Sequence, residues 1–193
     1  MSAATKAVLA LLLVWFCLAL WFGLTGRLQN VGAVGVAITV WSLTIMTLAL
    51  CGLVPPIRHW VATIPAVWLI ALNLTRFVGF YFLLLSQRGA QPAGFAQPAG
   101  MGDLIVATLA LLILVGPFLR QSRPILLTWN TLGLIDILLV VMGALRFGLR
   151  DLESMHPLRV LPLMLLPTFL VPLIIATHVL LFVRLIQDRT PSD

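Results

Sequence analysis

Six long apolar runs alternate with short polar breaks along this sequence, over residues 7–24, 31–54, 60–85, 103–119, 125–149 and 158–186. A helix of about 20 residues crosses ~30 Å of hydrocarbon. The pattern therefore predicts an all-α fold, a polytopic transmembrane helix bundle of about six spans forming one domain over residues 1–193. The fourth run is the shortest, and the sixth is long enough to tilt or kink. The first run follows Lys6. It is longer than the apolar core of a signal peptide, and no small-x-small cleavage pattern follows before Arg27, so it reads as a retained helix.

The breaks are short except at residues 89–100, where Ala-Gln-Pro-Ala-Gly occurs twice, from Ala90 and from Ala96. That density of Pro and Gly predicts a solvated loop, either a plain hairpin linker or a cap over an internal cavity. Asp103 then opens the fourth run and is expected to be its N-cap.

Composition agrees with lipid as the main solvent. Apolar residues are 61% of the chain and charged residues only 9%, where a soluble domain needs roughly 25% charged residues. The net charge of +6 is not a nucleic-acid signal, because the basic residues stand singly at the ends of apolar runs. Lys6, Arg58, Arg120, Arg123, Arg184 and Arg189 fall on the N-terminal side, against Arg27, Arg88, Arg146, Arg150 and Arg159 on the other. That narrow excess puts both termini on the cytoplasmic side of the cell inner membrane. Cys17 and Cys51 fall in apolar runs without a CxxC motif, so buried packing is expected for both.

Polar residues deep in the runs carry the chemistry. Arg76, Asp136 and His178 are ionisable and lie mid-run, with the amides Asn73 and Asn130 beside them. In hydrocarbon each needs a partner. At 1.5 Å per residue, Arg76 shares a depth with Asp136, and Asn130 with His178. The remaining acids are expected at or beyond helix ends, so Asp136 is the predicted partner of Arg76. Asn73, Arg76 and Phe80 follow helical spacing on one face. Asn130, Gly133, Asp136 and Gly143 form another, so the third and fifth runs are expected to pack together. Pro162, Pro167 and Pro172 free the carbonyls of Leu158, Leu163 and Thr168, which must be buried in protein or face a wet cavity. Either a simple kink or a helix lining a cavity with His178 follows.

Arg76-Phe77-Val78-Gly79, the stretch from Pro92 to Asp103, Trp129-Asn130 with Gly133 and Asp136, and Pro167 to Pro172 followed by His178 resemble a group of uncharacterised bacterial six-helix membrane proteins. The resemblance spans the last two-thirds of the chain and implies a fold but no activity.

Three function classes stay open. One is a small transporter moving a small solute or coupled to protons, with Asn73, Arg76, Asn130, Asp136 and His178 as its substrate-binding core. Another is a membrane enzyme or cofactor protein. The one lysine, Lys6, lies outside the runs, which excludes a retinal Schiff base. His59 and His156 lie at opposite edges, which excludes bis-histidine haem. HExxH, GxSxG and P-loop motifs are absent. A single-histidine haem or a quinone site remains. The last class is a structural or assembly subunit. Neither a catalytic nor a metal-binding set is evident, and no cofactor is specified. The bilayer is the expected partner, with a small-molecule ligand, a second copy or another membrane protein open and nucleic acid excluded.

Overall fold

The computed structural model describes residues 3–187; Arg189, counted above on the N-terminal side, lies outside them. The fold is all-α, with no strand among the described residues. Its elements are α1 Ala3–Leu24, α2 Ala33–Leu53, α3 Pro55–Thr63, α4 Ala66–Ala71, a 3-10 segment Leu72–Val78, α5 Gly79–Gln87, α6 Ala93–Val115, α7 Pro117–Gln121 and α8 Arg123–Arg150. A 3-10 segment Glu153–Arg159, a π segment Leu166–Leu170 and α9 Val171–Gln187 complete the described residues.

Among the described residues six helices are long and apolar enough to cross a membrane: Ala4–Leu24, Ala33–Leu53, Ala66–Gln87, Ala93–Val115, Arg123–Arg150 and Leu166–Gln187. Their number matches the hydropathy reading; three boundaries do not. The third span starts at Ala66 because Pro65 breaks the run and leaves α3 as a separate short helix. The sixth starts at Leu166, with Pro162 before it and Pro167 in its first turn. The fourth starts at Ala93, ten residues earlier than expected.

That last shift overturns the loop expected at residues 89–100. Pro92 takes the N-cap position, where its missing N–H is harmless. Pro98 forfeits one hydrogen bond, to the Gly94 carbonyl, inside the helix. Burial of Phe95, Ala96, Ala99, Gly100 and Asp103 offsets that loss. The repeat divides accordingly: Gln91 is buried, whereas Gln97 is exposed on the helix surface. Asp103 is therefore not an N-cap but sits mid-helix.

By compactness the chain forms two units, Met1–Ile64 with Ala144–Leu173, and Pro65–Gly143 with Ile174–Asp193. In the first, α1 packs on α3 and the π segment, and α2 does likewise. Trp15 and Phe16 meet Phe169 edge-on at 5.1 and 5.4 Å. The Trp15 indole donates to the Thr168 carbonyl at 2.9 Å, so the oxygen freed by Pro172 is satisfied by protein. The Leu163 carbonyl accepts from the Leu166 N–H at 2.9 Å. Arg159 is buried rather than a loop charge. It donates to the carbonyls of Gln29 and Leu152 and to Glu153 at 3.2 Å, tying the turns together. Cys17 is exposed, contrary to the buried packing expected, and Cys51 is half-buried.

In the second unit the third span lies along α6, in contact through α4, the 3-10 segment and α5. Phe82 meets Phe95 edge-on at 5.8 Å.

Candidate functional site

The polar core of the second unit is built where the third span tightens to a 3-10 helix. Residues i and i+3 eclipse there, so Asn73 and Arg76 stand in line. Counting about 120° per residue through Val78 and about 100° beyond it, Gly79 falls within about 20° of that line. Phe80 is turned about 100° from where an unbroken α-helix would put it. Accordingly Asn73, Arg76 and Gly79 are buried. Phe80 does not share their face as expected; it is exposed and stacked on Phe77 at 6.3 Å.

Gly79 lies backbone to backbone against Gly100 of α6. One helical step before this crossing stands Arg76, and one step after it, on α6, stands Asp103. The crossing thus brings the two side chains together, and Arg76 Nε donates to Asp103 Oδ1 at 2.7 Å. Arg76 NH2 pairs with Asp136 Oδ2, and NH1 donates to the Gly133 carbonyl at 3.0 Å. The expected Arg76–Asp136 pair is formed. Asp136 is not, however, the one acid deep enough to serve the arginine, because α6 begins early enough to carry Asp103 inside. A helical series of small residues through Ala96, Ala99, Gly100, Asp103, Ala107 and Ala110 was the sequence signal for it, masked by Pro98.

Guanidinium and carboxylates are unequally enclosed. Arg76 retains 1% exposure, the Asp103 side chain 6% and the Asp136 side chain 22%. One cation therefore faces two acids, and the triad is electrically balanced only when it also holds a proton or another monovalent cation. Leaving such a centre unbalanced in a low-dielectric interior costs several kcal/mol, on the order of the penalty for a stripped buried pair.

Nearly two turns from Asp136 along α8 lies the second expected pair. Asn130 Nδ2 donates to the His178 carbonyl at 3.0 Å, which fixes the amide's orientation. Asn130 Oδ1 then accepts from His178 Nδ1 at 2.8 Å, so that nitrogen carries a hydrogen. His178 Nε2 is buried with no protein partner among the described residues. Its ring lies over Gly133, where a Cβ would stand 2.5 Å from Cε1 and 2.9 Å from Nε2, and tilts against Trp129 at 5.6 Å. Trp129 itself donates to the Val106 carbonyl at 3.1 Å.

Asn73 is near the triad but bonds elsewhere. Its Nδ2 donates to the Leu69 carbonyl at 3.2 Å, and its buried Oδ1 has no protein partner among the described residues. The glycines of α8 do not seat the third span, as the spacing suggested. Gly133 receives His178 of α9, and Gly143 receives Phe95 of α6.

Among known proteins, no curated protein and no solved structure matches the chain. A family model described as Domain of unknown function (DUF8737) matches residues 33–186, a stretch that holds every residue of this polar core, and the chain belongs to that family.

Proposed function

We propose that the chain is a multi-pass protein of the cell inner membrane, one transmembrane helical domain with both termini cytoplasmic. Its Arg76–Asp103–Asp136 triad takes up and releases a proton in the course of small-solute transport. Asn73, Asn130 and His178 line the same polar core. The observation that carries this reading is the one-to-two ratio of guanidinium to carboxylate in a buried centre. A proton restores electrical balance and needs no coordination sphere, and intramembrane acids paired with arginine suit proton relays. A centre serving only assembly is complete with one acid per arginine.

The test is proton movement by the full-length protein in liposomes enclosing a pH-sensitive dye, driven by a potassium diffusion potential. Inward proton flux that disappears in Asp136→Asn supports the reading. A folded wild-type protein that neither moves nor binds protons overturns it in favour of a structural subunit.

A further inference from the structure

The two aspartates of the triad are not equivalent, and their surroundings divide the work between them. Asp103 projects from the most enclosed face of α6, between buried Ala99, Gly100, Val106 and Ala107. Its carboxylate is clasped by Arg76 Nε at 2.7 Å with 6% of the side chain exposed. Asp136 stands at the margin of the buried stripe of α8. Gly133, Ile137 and Val141 are buried on one side of it, while Leu132, Ile135 and Leu139 are exposed on the other. Only its Oδ2 is held by Arg76. Its Oδ1 has no protein donor among the described residues and points at Gly102 of α6, where a Cβ would collide with it. Gly102 is thus the residue whose missing side chain gives Oδ1 its place.

Resting on the proton-handling reading above, we infer that Asp136 is the carboxylate that exchanges the proton, that Asp103 is the fixed counter-ion of Arg76, and that Gly102 is a positioning residue for Asp136. The charged and titratable groups facing Asp136 are Arg76 on the third span and Asp103 on α6. On α9 His178 lies one turn away, over Gly133. In the exchange a hydronium ion delivers its proton to Oδ1. One O–H bond breaks on the donor and one forms on Asp136, water departs, and the positive charge stays with the triad. The Arg76–Asp103 bond persists throughout, so the arginine is never without a carboxylate.

The experiment is infrared difference spectroscopy between acid and alkaline pH on the full chain in liposomes, with ¹³C-labelled aspartate identifying carboxyl bands. A protonated-aspartate band present in wild type and lost in Asp136→Asn is the expected result; in Asp103→Asn, where Arg76 and Asp136 balance one to one, the same Asp136 band is expected only at more acid pH. A band lost in Asp103→Asn and retained in Asp136→Asn overturns the division of roles while leaving proton handling intact. No pH-dependent aspartate band in folded wild-type protein takes down both. Gly102→Ala keeps the three charged residues and guards against misfolding of either asparagine variant. It is expected to shift the band and to slow proton uptake by about a hundredfold, as for a misplaced reacting group. An unshifted band with wild-type uptake in Gly102→Ala overturns the inference.

Discussion

Gly79 and Gly100 meet with no side chain between their backbones. A Cβ at Gly79 would stand 2.5 Å from the Gly100 carbonyl oxygen, and one at Gly100 would stand 2.8 Å from that of Gly79. Because both obstacles are helix backbone, neither can swing aside. Gly79→Ala and Gly100→Ala are each expected to cost about 1–3 kcal/mol as overpacking and to separate Arg76 from Asp103. Gly52, with nothing within 4 Å of an added Cβ, is the control. Unfolding in detergent checks the ranking, and equal midpoints for Gly52→Ala and Gly100→Ala would refute the crossing.

The triad makes a specific demand on mutant combinations. Arg76→Gln strands two buried acids and should destabilise by about 3–5 kcal/mol or more. Arg76→Gln with Asp136→Asn should recover only part of this, because Asp103 is still uncompensated. Adding Asp103→Asn should recover further, since no charge is left. If the triple variant is as unstable as the sum of the single effects, measured by the same unfolding assay, the three residues are not one electrostatic unit.

For His178 the pinning partner is Asn130. Asn130→Ala removes both an acceptor for Nδ1 and a donor to the His178 carbonyl, at a cost of about 1–3 kcal/mol for buried groups left unpaired. Gly133→Ala should displace the ring from Trp129, visible as a change in tryptophan fluorescence. An unchanged spectrum would contradict the packing of His178 on Gly133.

The proline segment offers a cycle of its own. Trp15→Phe keeps the ring contact with Phe169 but leaves the Thr168 carbonyl without its indole donor, costing about 1–3 kcal/mol. Pro172→Ala returns the backbone N–H that an α-helix would aim at that same oxygen. The double variant should therefore be more stable than Trp15→Phe alone. Strict additivity would show that Trp15 and Pro172 do not share the Thr168 carbonyl.

Orientation is tested by reporter fusions at the C-terminus and in the hairpin at Gly89. Cytoplasmic activity at the first and external activity at the second are expected. The reverse pattern inverts the assigned topology.

Sequence alone determined the all-α class, the six apolar helices and the meeting of Arg76 with Asp136 and of Asn130 with His178. Lipid solvation forces length and apolarity on a span, and depth within a span follows from a fixed rise per residue. Where Pro98 stood, the same reasoning failed. Local chemistry assigned a loop, and burial of Phe95, Ala99 and Asp103 against the third span overruled it. Asp103 entered the site for that reason. The phase of the third span was equally a tertiary matter. The 3-10 turn from Leu72 to Val78 differs from an α-helix by only about 20° per residue, too little to leave a mark in the sequence pattern. Summed over the turn, it replaces Phe80 with Gly79 on the polar face and opens the glycine crossing. Residue types and depths belong to single helices and can be read along the chain. Which backbones touch depends on how helices far apart in sequence fit together, and only the folded structure contains that.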